Sequence, residues 1–440
     1  MLFITMKISG YQGIETKRCT YNKKGYTGKG DAHMKNLLIA QSGGPTAAIN
    51  ATVAGIVTGA GASGKIDKIY GAVNGIKGVL EEKFVSLNSV LKDMGCIELL
   101  SHTPAAALGS CRFKLDSLEE NDEQYRKIVE VLRKYEIGYF IYIGGNDSMD
   151  TVDKLSRYCI MHDIDDIKVV GAPKTIDNDL TATDHCPGFG SAAKYIATTF
   201  CELERDCNVY DMPAVTIVEV MGRNAGWLTA ASALSRLNGA EGPSLIYLCE
   251  KEFDIDKFIE DVKEKLETRP AILVAVSEGI KDKNGVYVSE SQQSGAVDVF
   301  GHSYIAGAAR VLEQAVRERI GCKVRSIELN LMQRCASHVA SATDIAESKM
   351  LGIHAFQCAI EGMTGVMAAI IRTNSNPYEV IFRRVRVSEV ANKEKTVPLE
   401  WITEEGNDIT EEMMEYLTPL IQGEVHSVFE NGIPKHITLY

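Results

Sequence analysis

The chain has 440 residues and a mass of 48.1 kDa, a length that suits two or three domains. Its 47 Lys and Arg against 59 Asp and Glu give a formal net charge of −12, which argues against nucleic-acid binding and against an anionic membrane surface. With 45% hydrophobic and 24% charged residues, the composition is that of a globular enzyme. No apolar run approaches the roughly 18 residues of a membrane helix, and the start does not resemble a signal peptide.

The 11 cysteines are scattered, without a CxxC pair or the Cys/His spacing of a zinc site. This pattern favours free thiols in a reducing compartment, so we expect a cytoplasmic protein. Residues 1–33 are basic and weakly periodic, and Met34 directly precedes the first clear strand. We therefore interpret residues 1–33 as an N-terminal extension.

From residue 36 onward, short apolar runs alternate with amphipathic helical stretches. Six runs have the length of buried strands: residues 37–41, 139–143, 167–170, 214–220, 245–248 and 271–276. Continuous apolar strands separated by helices predict an α/β fold with parallel sheets covered on both faces. We expect two α/β units, the second of which begins near Ser191. Because ligands bind at the carboxyl ends of such strands, motifs at those ends are expected to converge on one cleft.

Two glycine turns each follow a predicted strand and open a helix. Residues 42–46 (Ser-Gly-Gly-Pro-Thr) offer backbone N–H groups to an anion, although a plain tight turn is equally compatible with them. Residues 144–148 (Gly-Gly-Asn-Asp-Ser) add oxygen ligands and a helix cap, and Asp147 or Ser148 could simply cap the helix. Neither turn matches the dinucleotide fingerprint or the P-loop.

Two further segments carry charged and polar side chains after strands. Residues 173–179 (Pro-Lys-Thr-Ile-Asp-Asn-Asp) combine a cation, a hydroxyl and two carboxylates, the parts that phosphoryl transfer requires, although a solvated charged loop would also contain them. Residues 221–227 (Met-Gly-Arg-Asn-Ala-Gly-Trp) place Arg223 where a small neighbour permits close approach to phosphate; an ordinary surface arginine at a helix start is the alternative.

In this order, the four segments resemble the 6-phosphofructokinases, from about Met34 to the C-terminus. The TIDND and MGR segments are the specific part of the resemblance. It implies two Rossmann-like three-layer α/β/α domains with the active site between them. The implied divisions are a phosphoryl-donor domain over residues 34–190, a fructose 6-phosphate domain over 191–334, and residues 335–440 returning to both.

The resemblance also assigns roles to residues of the third and fourth segments. Asp177 would take the proton from the 1-hydroxyl of fructose 6-phosphate, with Asp179 beside it supporting catalysis and Mg²⁺ binding. Thr175 would contact the transferring phosphoryl group, and Arg223 would stabilise charge in the transition state. The substrate-binding residues implied are Thr175, Asp177, Met221, Gly222, Arg223, Glu278, Arg325 and Arg334.

The remaining implied residues bind the donor, the metal and the 6-phosphate. In the family, the arginine matching Arg325 comes from a neighbouring subunit, which implies a homodimer or homotetramer. Arginine suits this role because its guanidinium binds phosphate in a bidentate manner. The donor-binding residues would be Gly43, Gly44, Arg112, Gly145, Asp147, Ser148 and Lys174. The Mg²⁺ ligands would be Asn146, Asp147, Asp177 and Asp179.

Two positions favour inorganic pyrophosphate as the donor. Asp147 and Lys174 stand where ATP-dependent relatives usually have glycine, so their side chains would crowd a nucleotide while Lys174 grips a free phosphate. The segment 388–398, with Glu394 and Lys395, is similar to the pyrophosphate-dependent branch. The resemblance therefore implies reversible phosphoryl transfer from pyrophosphate to fructose 6-phosphate.

Three positions depart from the family pattern. Asn146 replaces a metal-binding aspartate, Leu331 replaces a sugar-phosphate-binding histidine, and Ala214 replaces an arginine supplied across the subunit interface. These changes leave open how Mg²⁺ and the 6-phosphate are held. The alternatives are an ATP-dependent 6-phosphofructokinase, a non-catalytic regulatory subunit, which would lack carboxylates such as Asp177, and a kinase of the NAD kinase type, which does not fit residues 175–179.

Overall fold

The computed structural model describes residues 5–8, 14–16, 34–209, 211–292 and 307–440. Most of the predicted extension, residues 1–33, lies outside the described residues. The strands are β1 (Thr5–Ile8), β2 (Ile14–Thr16), β3 (Lys35–Gln41), β4 (Ile66–Ala72), β5 (Phe84–Ser86), β6 (Ile137–Gly144), β7 (Lys168–Pro173), β8 (Ala214–Val220), β9 (Leu245–Tyr247), β10 (Ala271–Ser277), β11 (Lys323–Glu328), β12 (Val366–Ser375), β13 (Tyr378–Arg386), β14 (Phe429–Glu430) and β15 (Ile433–Pro434).

Helices connect most of these strands, as the alternating pattern predicts. They are α1 (Ile49–Ser63), α2 (Gly75–Leu80), α3 (Leu87–Val90), α4 (Met94–Ser101), α5 (Glu123–Lys134), α6 (Asn146–Met161), α7 (Phe189–Cys207), α8 (Trp227–Ala230), α9 (Ile255–Thr268), α10 (Ala308–Arg319), α11 (Met332–Cys335), α12 (Ala342–Ile360) and α13 (Glu411–Leu417). All six strands predicted from apolar runs are present, with ends that differ by at most a few residues. None of the helices within the described ranges has the length and apolarity that a bilayer crossing requires.

The first sheet has nine strands in the order β2-β1-β13-β12-β7-β6-β3-β4-β5. Strands β12, β7, β6, β3 and β4 are parallel, and β5 and β13 pair antiparallel with their neighbours. Leu37 and Ile39 of β3 face a core that includes residues of α1, α7 and α12. Leu38 and Ala40 face the opposite core, formed with α5 and α6. Helices therefore cover both faces, which confirms the three-layer prediction.

The second sheet is parallel throughout, in the order β11-β8-β10-β9. Val215 and Ile217 of β8 pack toward α9 and α10, whereas Val218 and Val220 face α7 and α8. The core that contains α7 also contains the inner face of the first sheet, so one continuous apolar cluster joins the two sheets.

Residues 335–440 return to both sheets. Strands β12 and β13 extend the first sheet, and β1 pairs with β13 at its edge. On the other side, the amide of Asn407 donates to Asp261 of α9 (3.0 Å), and Arg236 forms an ion pair with Asp408 (2.9 Å). The C-terminal segment thereby ties the two units together.

The order in which the parallel strands are added to the first sheet reverses at β3. Strand β4 lies on one side of β3, and β6 lies on the other. A crevice forms at the carboxyl ends of strands at such a switch point. The two glycine turns follow β3 and β6, and residues 174–179 follow β7, the next strand along. In the second sheet, residues 221–227 follow β8.

Candidate active site

The first glycine turn brings two cations close to its backbone. Gly43 has φ +77°, and a Cβ atom there would lie 3.1 Å from Nζ of Lys174. That ammonium donates to the carbonyl oxygen of Gly44 (2.6 Å). A Cβ atom at Gly44 would lie 3.2 Å from a guanidinium nitrogen of Arg334. The glycines at this turn therefore allow Lys174 and Arg334 to approach the same short stretch of backbone.

The second glycine turn lies directly beside Lys174. The backbone N–H of Lys174 donates to the carbonyl of Gly144 (2.9 Å), and a Cβ atom at Gly145 would lie 3.6 Å from the Lys174 carbonyl. Asp147, in the first turn of α6, is partly buried. The hydroxyl oxygen of Ser148 is buried and has no hydrogen-bond partner among the described residues. An unpartnered buried hydroxyl at a helix start is suited to a ligand oxygen.

Asn146 is engaged elsewhere. Its amide oxygen accepts from the backbone N–H of Asn392 (2.5 Å), and its amide nitrogen donates to the carbonyl of Lys393 (2.7 Å). The oxygen that would bind a cation thus already accepts a hydrogen bond. The metal role of Asn146 stays a prediction. In the structure, this side chain holds the backbone of residues 392 and 393 against the start of α6.

The TIDND loop holds its two carboxylates in a confined, charged environment. The hydroxyl of Thr175 accepts from the backbone N–H of Asp177 (3.1 Å) and lies close enough to the Asp179 carboxyl to oppose the rise in its pKa. Burial and the neighbouring Asp179 raise the pKa of Asp177 to about 7, against the attraction of Lys174 and Arg223. Burial lowers the pKa of Lys174 to about 8, although Asp177 and Asp179 oppose that shift. These side chains therefore share one low-dielectric site.

The acceptor side is built from the turns after β8 and β10. Gly222 has φ +135°, and a Cβ atom there would lie 2.4 Å from the Ala225 carbonyl oxygen, so this turn requires glycine. The backbone N–H of Gly222 donates to the Glu278 carboxylate (3.2 Å), and Ser277 donates to the Gly222 carbonyl (2.7 Å). Met221 and Arg223 flank this glycine.

Electrostatic coupling shows that the two sides face each other. Burial raises the pKa of Glu278 to about 8, and the charge of Asp177 adds to the shift. Arg223 counteracts the raised pKa of both Asp177 and Glu278. Glu278 follows β10 of the second sheet and Asp177 follows β7 of the first. The carboxyl ends of both sheets thus border one cleft, as the sequence predicts.

The predicted arginines do not all lie in this cleft. Burial and the positive charge of Arg112 both lower the pKa of Arg334. These two arginines therefore lie near each other, beside the first glycine turn. Arg325 lies on the edge strand β11, paired in register with Thr216. Thr216 precedes Val220, the end of β8, by four residues, or about 13 Å of strand. Arg325 therefore lies away from the cleft of its own chain.

Asp177 and Asp179 are the candidate metal ligands of the TIDND loop. The described residues contain no group of three or more His, Cys, Asp or Glu side chains arranged to hold a metal ion. However, one carboxylate oxygen of Asp179 is buried without a hydrogen-bond partner in the described part of the chain, and burial raises its pKa. Mg²⁺ is commonly bound by one or two carboxylates together with substrate phosphates. Asp177 and Asp179 fit such a partial site.

Sequence reasoning assigned no role to the residues that support the TIDND loop. Asn178 is fully buried with φ +55°, and the ammonium of the half-buried Lys395 lies against it. Lys395 belongs to the segment that resembles the pyrophosphate-dependent branch, but the hydrogen-bond acceptors of its ammonium are more than 200 positions away. The sequence alone does not reveal such distant pairings.

Residues 36–359 match the sequence profile of the family described as Phosphofructokinase. A relative from Methylococcus capsulatus, named pyrophosphate–fructose 6-phosphate 1-phosphotransferase, is 41% identical over 410 residues, which cover 92% of this chain and 96% of the relative. A protein of the same name from Xanthomonas campestris pv. campestris is 40% identical, with the same shares covered. The crystal structure of a pyrophosphate-dependent phosphofructokinase from Marinobacter aquaeolei superposes with a TM-score of 0.81 at 37% identity, covering 91% of this chain and 95% of that one. The chain therefore belongs to the phosphofructokinase family.

Proposed function

We propose that the chain transfers a phosphoryl group reversibly from inorganic pyrophosphate to the 1-hydroxyl of fructose 6-phosphate. The observation that carries this proposal is the meeting of Asp177 with Lys174, Arg223 and Arg334 between the two glycine turns. A buried carboxylate surrounded by cations fits an acceptor base next to a polyanionic donor. The names of the relatives that align over nearly the whole chain agree with this reaction.

Asp177 is proposed as the base that accepts the proton of the sugar 1-hydroxyl. Its raised pKa, about 7, lies near neutral pH, where a base combines ionisation with sufficient proton affinity. Arg223 would offset the charge that develops on the phosphoryl oxygens, with Thr175 contacting the same group. Glu278 would accept hydrogen bonds from sugar hydroxyls, next to the backbone of Met221 and Gly222.

The donor proposal rests on Lys174. This side chain is only 2% exposed and fills the space between the two glycine turns, where its ammonium lies against Gly44. A nucleotide donor would need room beyond its phosphates, whereas pyrophosphate needs cations at both ends. We propose that Lys174, Arg112 and Arg334 bind pyrophosphate, with Ser148 and the glycine N–H groups completing the site and Asp147 limiting its size.

Asp177 and Asp179 are the residues that we propose for Mg²⁺, with Asp147 nearby in the first turn of α6. The cation would neutralise phosphate charge when it is bound together with the donor. The chain's own contribution is the carboxylate oxygen of Asp179 that has no hydrogen-bond partner in the described part of the chain.

We further propose that the enzyme is a homodimer or homotetramer in which β11 completes the sugar-phosphate site of a second copy. Arg325 cannot serve its own cleft, and it lies beside a groove lined by Met212 and Ile272. Lys323 is paired in register with Ala214 and lines the same groove. Lys323 can thus supply the cation that the family arginine provides at the position of Ala214.

The domain divisions and the location in the cell remain part of this proposal. Residues 34–190 with β12 and β13 would form the donor domain, and 191–334 the acceptor domain. A cytoplasmic location is supported by the cysteines, because all ten of those in the described ranges are free thiols.

Phosphorus NMR tests the proposed reaction directly. Purified protein with fructose 6-phosphate, pyrophosphate and Mg²⁺ should give a new sugar phosphoester signal and inorganic phosphate in equal amounts. Adding phosphate to fructose 1,6-bisphosphate should give pyrophosphate. The Asp177→Asn variant is the control for contaminating activity. Absence of both reactions in wild-type protein would refute the proposal.

A further inference from the structure

A short segment near the C-terminus, residues 391–397, crosses the cleft and is called the strap below. On one side, the amide of Asn392 donates to Asp150 of α6 (3.0 Å). On the other side, the indole N–H of Trp227 donates to the carbonyl of Lys395 (3.1 Å). The strap thus touches both the helix that follows the second glycine turn and the helix that follows the MGR segment.

Lys395 of the strap contacts the TIDND loop and the residues that follow it. Its backbone N–H donates to the carbonyl of Asp179 (2.7 Å). Its ammonium donates to the carbonyl of Asp184 (2.7 Å), to the side-chain oxygen of Asn178 (3.3 Å) and to the carbonyl of Thr183 (3.4 Å). The ammonium also lies 5.2 Å from the centre of the Trp227 ring. One side chain thereby supplies hydrogen bonds to three parts of the same loop.

Asn178 is the residue through which this contact reaches the carboxylates. It stands between Asp177 and Asp179, and its φ of +55° turns the chain so that its own side chain points inward. The backbone N–H of Cys186 donates to its side-chain oxygen (3.0 Å), and its amide nitrogen donates to the Tyr416 hydroxyl (2.9 Å). Any shift of Asn178 must redirect both neighbouring carboxylates.

The ammonium is needed because the oxygens that it contacts are buried. Without the ammonium, the Thr183 carbonyl would lose the one donor described for it, and the Asn178 side-chain oxygen would keep only the Cys186 N–H. The loop would therefore move to find other partners. The hydroxyl of Tyr416 also donates to the Asp184 carbonyl (2.8 Å), so it provides partial support in the same place.

We propose that Lys395 is a positioning residue for phosphoryl transfer: through Asn178 and the carbonyls of Thr183 and Asp184, it sets the directions of the Asp177 and Asp179 carboxylates. This inference rests on the proposed function. It predicts that loss of the ammonium impairs the chemical step more than substrate binding, because the phosphate and sugar contacts come from other residues.

The test compares Lys395→Met with Lys393→Met, two residues apart in the strap. The Lys393 side chain is exposed. The contact of Lys393 with Asn146 is made by its backbone carbonyl, which the substitution leaves in place. We expect Lys395→Met to lower kcat by roughly 10–100-fold while KM for either substrate changes by less than about threefold, since a misplacement near 1 Å has such an effect. Lys393→Met should match wild type in both parameters.

Hydrogen exchange gives a second readout that does not depend on activity. Peptides covering residues 174–188 should exchange faster in Lys395→Met than in Lys393→Met, while peptides from β3 and β8 are unchanged. If Lys395→Met does not fold, Tyr416→Phe takes its place and should show the same pattern with a smaller, several-fold loss of kcat. A raised KM with normal kcat, or unchanged exchange in the loop, would overturn the proposal. Inactive wild-type protein would refute the proposed function instead, and the exchange data would still decide the role of Lys395.

Discussion

Replacing Lys174 by glycine removes a buried ammonium from the centre of the proposed donor site. In the structure this group donates to the Gly44 carbonyl at 2.6 Å and lies close to Asp177. Glycine at this position is the residue that the resemblance associates with ATP-dependent relatives. The variant therefore tests both the phosphate contact of Lys174 and the space that its side chain occupies.

The expected effect follows from the chemistry of the contact. A hydrogen bond between an ammonium and a phosphate oxygen contributes about 1.5–3 kcal/mol. Since each 1.4 kcal/mol corresponds to about tenfold in affinity, KM for pyrophosphate should rise by roughly 10–150-fold. The attraction of Lys174 also lowers the pKa of Asp177, so its loss should raise that pKa further and reduce kcat near neutral pH.

Initial rates measured against pyrophosphate at saturating fructose 6-phosphate give both parameters. Lys168→Gly is a suitable control, because Lys168 begins the same strand, β7, at the end away from the cleft. KM for fructose 6-phosphate should change little in either variant. If KM for pyrophosphate is the same in Lys174→Gly and wild type, Lys174 does not bind the donor, and the argument from crowding loses its main support.

Three further predictions concern other parts of the molecule. Asp177→Ala should lower kcat by about 10²–10⁴-fold with an unchanged circular dichroism spectrum, and near-normal turnover would move the base elsewhere. Lys323→Met should raise KM for fructose 6-phosphate several-fold without affecting pyrophosphate; an unchanged value would remove β11 from the site. Although burial opposes it, Glu347 and Asp184 raise the pKa of His185 from 6.5 to about 9. Protonated His185 should therefore contribute roughly 3 kcal/mol to the free energy of unfolding below pH 6.5, and this contribution should be lost as pH rises through about 9. The free energies of unfolding that urea denaturation gives for wild type and His185→Gln should therefore converge at high pH. A difference between them that does not change with pH would contradict this prediction.

The sequence predicts the cleft because its motifs follow strands. Apolar runs such as residues 37–41 and 271–276 identify the strands, and parallel strands bring the residues after them to one edge. This reasoning places Gly43, Lys174 and Asp177 together before any coordinates are known.

Other features depend on contacts between distant parts of the chain. The resemblance to the 6-phosphofructokinases implies that Asn146 binds a metal, yet its amide binds the backbone of Asn392 and Lys393, some 246 positions away. Arg334, which the resemblance assigns to the sugar phosphate, lies beside Gly44 at the donor turn. Neither periodicity nor a local motif encodes such pairings, because they arise where separate elements pack together.

The choice of donor tests the central claim most directly. The steady-state value of kcat/KM should be measured with pyrophosphate and with ATP, each with fructose 6-phosphate and Mg²⁺, on the same preparation. With Lys174 filling the space between the glycine turns, we predict efficient turnover with pyrophosphate and no turnover above background with ATP. An equal or greater kcat/KM with ATP would contradict the account of the donor site.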